Sequence, residues 1–385
     1  MKPVLILILA AATLHPVAHA QNFEPYVTEI LTNNSALKAD RAAMRSEVMA
    51  RVADNRLEAT EIGFDYKWSV DNDETKLGLE VSQNFDWPGV YRARRRAAKS
   101  AEQALEARIR ATERATALEA RTLLCALVDA NLRCDMLGKI VSNLDSLHNA
   151  MHLMLAHGEI TELDHRKVTL SEIAMKQQLA DAENERSVTL GSIAALNGGQ
   201  LPGGVADLSE YPAATLKPLA HYLAIDNPDA EALKAEADTD VLDAGVERLG
   251  LYPGFSLGYA FEREGLEHFH GFSIGLRLPQ YSAKPRAEAT KWQARVKELQ
   301  AEQAMRERRT DIAASHKAAE STAKLIEEYK EAFGANYPHL LKRSLDGGQI
   351  SYIDYFSELN FYLEARLDYL GRLLAYHTLL ARLER

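Results

Sequence analysis

Four stretches of the chain alternate apolar and polar residues with a period of two, the pattern of strands that have one wet face and one dry face. In the first, Ile62, Phe64, Tyr66, Trp68 and Val70 alternate with Gly63, Asp65, Lys67 and Ser69. A polar turn at Asp71-Asn72-Asp73 leads to the second, where Leu77, Leu79 and Val81 alternate with Lys76, Gly78, Glu80 and Ser82. Far downstream, Phe255, Leu257, Tyr259 and Phe261 alternate with Ser256, Gly258, Ala260 and Glu262. After a charged turn, Phe272, Ile274, Leu276 and Leu278 alternate with Ser273, Gly275 and Arg277. The pattern predicts two hairpins, at about 60–86 and about 253–279.

Most of the remainder reads as long helices. From about 90 to 157 the one Pro or Gly is Gly138, and such a stretch extends roughly 100 Å at 1.5 Å per residue. A comparable stretch runs from about 286 to 345, where Gly334 and Pro338 predict a late kink. Each ends at a glycine break and returns as a shorter helix, near 162–196 and 352–383. Alanines 93, 97, 101, 104, 107 and 111 let neighbouring backbones approach closely, as in coiled-coil-like packing.

The same order of signals occurs twice, at a spacing near 190 residues. Each copy opens with an Ala-rich helix carrying one tetrapeptide, Ala36-Leu37-Lys38-Ala39 and then Ala232-Leu233-Lys234-Ala235. A hairpin, a long helix, a break and a return helix follow. The breaks match as well: Gly158-Glu159-Ile160-Thr161-Glu162-Leu163-Asp164 corresponds to Gly348-Gln349-Ile350-Ser351-Tyr352-Ile353-Asp354. The Gly/Pro-rich run from Leu196 to Gly204 separates the copies. The expected organisation is a leader at 1–20, a first repeat at 21–204 with its tip near 158–164, and a second at 205–385 with its tip near 348–354. The connector up to Asn227-Pro228 shows no clear period.

An amphipathic sheet of this kind could cover a soluble core. Against that, the helices are charged around much of their circumference and offer no second layer. The polar face of the strands also carries Asp65, Lys67, Glu80, Glu262 and Arg277, which suits a water-filled lumen. Four strands cannot close a barrel, because the narrowest membrane barrels need about eight, and open edges are not tolerated in lipid. A barrel would have to be shared between chains. Two would give about eight strands and a lumen filled by side chains, three about twelve and room for a channel.

Composition sets the compartment. Lys2, an apolar run at 4–14 and Ala18-His19-Ala20 fit a secretory leader cleaved before Gln21. No later segment approaches the roughly 20 apolar residues of a membrane helix, so any embedding must come from strands. No cysteine follows the cleavage site to take a lipid anchor. Over 385 residues there are 12 Pro and 21 Gly, in keeping with long uninterrupted elements. The formal charge of -10, or -11 once Lys2 is removed, argues against a general nucleic-acid partner. Cys125 and Cys134 lie about 13.5 Å apart along one helix and cannot pair within it. They read as buried small residues. Arg92, Arg94, Arg95, Arg96 and Lys99 cluster after the first hairpin, where they could meet lipid phosphates or form a solvated face.

Three signatures carry a family likeness: the paired Gly-x-x-Ser/Thr-x-x-Asp breaks, the strand exit Val81-Ser82-Gln83-Asn84-Phe85-Asp86-Trp87-Pro88-Gly89 with Arg95 soon after, and the exit Leu278-Pro279. In their order and duplication they resemble the TolC family of outer membrane efflux proteins, across essentially the whole mature chain. The resemblance implies a mixed α+β membrane protein in the outer membrane of a Gram-negative bacterium: a homotrimer with a shared barrel of about twelve strands and an α-helical periplasmic tunnel. It implies that Gly158, Thr161, Asp164, Gly348, Ser351 and Asp354 form the periplasmic tip and gate, where a periplasmic adaptor (membrane fusion) protein docks. Asp354 matches the family's inner constriction, and three such carboxylates would favour cations. Ser357 and Ile350 depart from the family pattern, so its closed-state lock does not transfer.

The function implied is the exit duct of a tripartite efflux pump for small molecules or metal ions, driven by an inner-membrane transporter of the resistance-nodulation-division type. The rivals are the duct of a type I protein secretion system and a pore-free periplasmic coiled-coil scaffold. No nucleophile–base pair, phosphate loop or zinc spacing appears, so neither catalysis nor a cofactor is expected. One cluster before the first tip, His148, Met151, His152, Met154 and His157, has a metal-competent spacing and suits copper(I) or silver(I), as in the metal-exporting branch. Packing within a helix tip is the plainer account, and no metal is assigned.

Overall fold

A computed structural model describes the protein at residues 22–68, 75–279, 281–333 and 337–384; at 143–150, 338 and 352 it describes the backbone alone. The leader and the turn at Asp71-Asn72-Asp73 lie outside the described residues. The helices are α1 (Glu24–Asn33), α2 (Ser35–Asp54), α3 (Pro88–Ala156), α4 (Glu162–Leu196), α5 (Leu219–Leu223), α6 (Pro228–Leu249), α7 (Ala283–Phe333), α8 (Tyr337–Asp346) and α9 (Tyr352–Leu383). The strands are β1 (Glu61–Trp68), β2 (Thr75–Phe85), β3 (Gly254–Glu264) and β4 (Glu267–Arg277). The long helix is unbroken over 69 residues in α3, since Gly138 alone costs too little to interrupt it. Its counterpart is described as α7 and α8, and Gly334, one of the two expected kink signals, lies outside the described residues.

The strands form one antiparallel sheet in the order β1-β2-β3-β4, whose central seam joins the two hairpins, from Lys76 opposite Glu264 to Phe85 opposite Phe255. One expectation changes here. The charged stretch read as a turn between Phe261 and Phe272 is mostly strand, with Arg263 opposite His268 and Glu264 opposite Glu267. Gly265-Leu266 alone makes the turn, with Gly265 at φ +58° as a tight hairpin with glycine in its first position requires. Polar residues occupy both faces there, so no apolar alternation marks them as strand.

Contacts divide the chain into two compact units, each drawing on both repeats. One comprises the chain up to Ile30 with Ala120–Leu216 and Ala319–Ala381. Its core gathers Leu137, Met151, Val168, Met175, Leu341, Phe356, Leu359 and Leu363, with Ile160, Ile350 and Cys134 packed against it. The connector is strapped on by Asn131, whose amide donates to the carbonyls of Ala206 (3.1 Å) and Leu208 (2.7 Å). Arg186 fixes that amide by donating to its Oδ1 at 2.6 Å. Tyr211 of the connector stacks on His377 with 4.3 Å between ring centres. Both cysteines are free, and burial pushes the Cys125 thiol up to about 12, so it behaves as an inert small side chain.

The other unit comprises Leu31–Glu119 and Lys217–Ala318, with the last residues of the chain. The alanine stripe does what its spacing predicts: Ala97, Ala101, Ala104, Ala107 and Ala111 are buried, and Ala232 of α6 packs against the last two. The two tetrapeptide helices both start at an Asn cap, Asn34 accepting from the Leu37 amide and Asn227 from those of Asp229 and Ala230. They are tied together by Arg51, whose guanidinium donates to both oxygens of Asp243 at 3.1 and 3.2 Å.

Candidate functional site

The glycine breaks resolve into one local device used twice. At the first, Gly158 takes φ +74°, its amide donates to Leu155 O (3.0 Å), and the next amide, of Glu159, reaches back to Met154 O (2.9 Å). At the second, Gly348 takes φ +67°, with Gly348 donating to Leu345 O and Gln349 to Ser344 O, both at 2.9 Å. This is the Schellman closure of a helix, which needs a left-handed residue and therefore favours glycine. Three residues later the return helix begins with a reciprocal cap. The Asp164 amide donates to Thr161 Oγ1 (3.2 Å), while Thr161 Oγ1 donates to Asp164 Oδ2 (2.6 Å). Ser351 and Asp354 repeat it at 3.2 and 2.7 Å.

The spacing Gly-x-x-Ser/Thr-x-x-Asp thus ends one helix and starts the next within a few residues. The structure brings Gly158, Thr161 and Asp164 together at one tip and Gly348, Ser351 and Asp354 at the other. Each aspartate has one carboxylate oxygen engaged in the cap, and Asp354 remains exposed. The isoleucines between glycine and cap, Ile160 and Ile350, pack onto the apolar core of their unit. Ile350, which departs from the family pattern, therefore has a packing role here.

The histidine and methionine cluster is described in part. The His148 side chain lies outside the described residues. Met151 is fully buried in the tip core, whereas His152 and His157 are exposed. His152 meets His165 of α4 edge-on, 6.0 Å between ring centres, a neighbour that spacing within α3 could not show. Among the described residues no group of three or more His, Cys, Asp or Glu is placed to hold a metal ion.

The sheet sorts its side chains by face. Ile62, Phe64, Leu79, Val81, Phe255, Leu257, Phe272, Ile274 and Leu276 share the apolar face; Asp65, Lys67, Glu80, Glu262 and Glu264 lie on the other. Small residues on that polar face leave room for its carboxylates: Asp65 and Glu262 flank Gly78 from the two neighbouring strands. At the helix end of the sheet the Asp86 carboxylate is shared by Arg277 (2.6 Å) and Arg94 (3.0 Å), and Arg277 also reaches Glu58 (3.2 Å). Glycine at 254 leaves room for this junction, because a Cβ there would stand 2.9 Å from Arg277 Nε and would displace the guanidinium. The sequence singled out Arg95; the structure engages Arg94 and leaves Arg95 exposed. Trp87 of the strand exit stacks on Tyr252 at 5.6 Å, and Phe85 on Phe255 at 5.2 Å. No described helix is long and apolar enough to cross a membrane.

No family model matches the chain, and no curated protein does. Solved structures match nearly end to end. The Campylobacter jejuni CmeC outer membrane channel aligns with a TM-score of 0.74 at 18% identity, covering 94% of this chain and 84% of that one. The open-state Neisseria gonorrhoeae MtrE outer membrane channel gives 0.67 at 16% identity, over 93% and 88% of the two chains. The Vibrio cholerae outer membrane protein VceC gives 0.61 at 16% identity, over 94% and 93%. The chain has the fold of these outer membrane channels, as the TolC-family resemblance of its motifs implied.

Proposed function

We propose that this chain is one subunit of a homotrimeric outer-membrane channel, the passive exit duct of a tripartite efflux pump in a Gram-negative bacterium. The observation that carries the reading is the four-stranded sheet, apolar on one face, charged on the other and ending in strands β1 and β4. An open edge has no place in lipid, and three copies supply about twelve strands, enough to surround water. The polar face then lines the lumen and the apolar face meets the bilayer. α3, about 100 Å long at 1.5 Å per residue, supports a tunnel wall reaching well beyond a bilayer core of about 30 Å. A periplasmic adaptor would dock at the capped tips, and an inner-membrane transporter of the resistance-nodulation-division type would supply the energy.

In this reading Asp164 and Asp354 set the charge of the tip aperture, each through the oxygen its cap leaves over. The purified chain should form heat-modifiable trimers in outer-membrane fractions and conduct ions across planar bilayers. Asp354→Asn should lower cation over anion preference, measured as a shift in reversal potential under a salt gradient. A protein that stays in the soluble periplasmic fraction and never conducts would sink the channel and favour a pore-free scaffold.

A further inference from the structure

The ionisable residues of the sheet divide unevenly between its faces. Among the described strand residues every carboxylate of the alternating register, Glu61, Asp65, Glu80, Glu262, Glu264 and Glu267, shares the polar face. The apolar face carries none. Among its described residues the permanent charge is Arg263, and the imidazoles are His268 and His270, all toward the β3–β4 turn.

These groups form a built edge to the apolar band. Arg263 stands directly opposite His268, and its Nε donates to Gly265 O at 3.2 Å, which holds the guanidinium at the turn. His268 stacks on Phe261 at 5.8 Å, and His270 pairs its Nδ1 with the Tyr259 hydroxyl. Tyr66 and Trp68 of β1 lie on the same face toward the same end, both exposed. Aromatic side chains mixed with cations just beyond an apolar band are the arrangement that fits a headgroup layer. Past the Arg263–His268 rung the hairpin continues for only the Glu264–Glu267 rung, whose carboxylates lie on the other face, and the two turn residues.

We infer that Arg263, with His268 and His270 beside it, is a docking point for phosphate-bearing lipid headgroups at the outer rim of the barrel. This rests on the sheet being the membrane-embedded part proposed above. The occupant follows from charge complementarity: a cation on a face without carboxylates, bounded by apolar residues, matches an anionic headgroup attached to acyl chains. Bulk charge cannot explain such a preference, because the chain is net -10 and would repel anionic lipid as a whole. Sorting the carboxylates to the other face makes attraction possible locally. One basic side chain near a lipid surface contributes enough to enrich an anionic lipid about fivefold.

The test uses the full chain reconstituted as its oligomer, with Trp68 on the rim as the reporter. Quenching by brominated phosphatidic acid is compared with quenching by brominated phosphatidylcholine, and Trp68→Phe isolates the contribution of that residue. The expected result is a preference of about fivefold for phosphatidic acid. Arg263→Gln should abolish it and Arg263→Lys should retain it. Lys67→Gln removes the same charge from the polar face and should leave the preference in place. Quenching by both lipids without preference, survival of the preference in Arg263→Gln, or its equal loss in Lys67→Gln would overturn the inference while leaving the embedded sheet standing. Absence of quenching by either lipid would overturn the embedded sheet and this inference with it.

Discussion

The two tips and the sheet are opposite solutions to the problem of ordering a chain at an exposed place. A tip is complete in itself. Its closing hydrogen bonds reach back at most five residues, its caps three, and the side chains behind it, Met151 at 0% and Phe356 at 4% exposure, are buried within the same chain. The sheet closes its backbone bonds across the two repeats and leaves its apolar side chains uncovered, Phe272 at 88%, Ile274 at 79% and Ile62 at 71% exposure. Buried area stabilises the tip unit in any solvent, whereas the sheet's apolar face gains only when something else covers it. The contrast lies in how far the backbone bonds reach and in the continuity of the uncovered apolar face, since single apolar residues are exposed on the tip helices too, Leu163 at 62% and Leu170 at 67%.

The largest expected effect comes from cutting equal side chains in the two places. Phe356→Ala should cost about 3–5 kcal/mol in urea unfolding of the detergent-solubilised chain, whereas Phe272→Ala should cost almost nothing there. Equal losses would abolish the contrast. A pH effect comes next. Burial pulls the His377 imidazole down from its usual value to about 4. A depressed histidine contributes stability that is present above its unfolded value, near 6.5, and is lost as pH falls toward the folded one. The tip unit should therefore be weaker by about 2 kcal/mol at pH 5 than at pH 7, and His377→Gln should flatten that dependence. Asp129 opposes it: burial raises its carboxyl, so its contribution fades as pH rises. An equal change in stability between those pH values for the wild type and His377→Gln would refute this account.

Smaller effects separate the two kinds of glycine. Gly158→Ala and Gly348→Ala force a left-handed backbone on a residue with a Cβ and should each cost about 1–2 kcal/mol. Gly63→Ala, in open space on a strand, should be neutral in the same melts. The smallest effect belongs to the caps. Thr161→Ala or Ser351→Ala should cost about 1 kcal/mol and speed hydrogen exchange at the Asp164 or Asp354 amide. Unchanged exchange would show that the tip is held by packing alone.

The sheet was legible in the sequence because its apolar period is unbroken from Phe255 to Phe261, and it became illegible where both faces turn polar, so that the tight turn at Gly265 passed as a longer one. The tips were legible as a repeated motif, although their chemistry was not. Asp164 and Asp354 read as gate acids, and nothing in their spacing told that each first caps a helix. In the cluster from His148 to His157 the burial of Met151 accords with packing in a helix tip, while the His148 side chain lies outside the described residues. Spacing along one helix gives neighbours on that helix, whereas burial of Met151 and the approach of His165 depend on a second helix. The junction of Asp86, Arg94 and Arg277 joins Asp86 to a residue nearly 200 positions away, and no local pattern marks the two as partners.

The β2–β3 seam also fixes an order in time. Closing it joins residues roughly 170 to 190 positions apart, so its entropic cost must be met before any of its bonds form. The tips carry no such burden. The first helical hairpin, α3 with α4, can therefore fold behind Gly158 and shorten the loop that the seam must close, while the second lies outside that loop. Until β3 arrives, β1 and β2 wait as a lone hairpin with an unpaired inner edge. Lys76 and Glu80 on β2 then act before the fold is complete: charges along the waiting strand discourage it from pairing with the same strand of another unfinished chain.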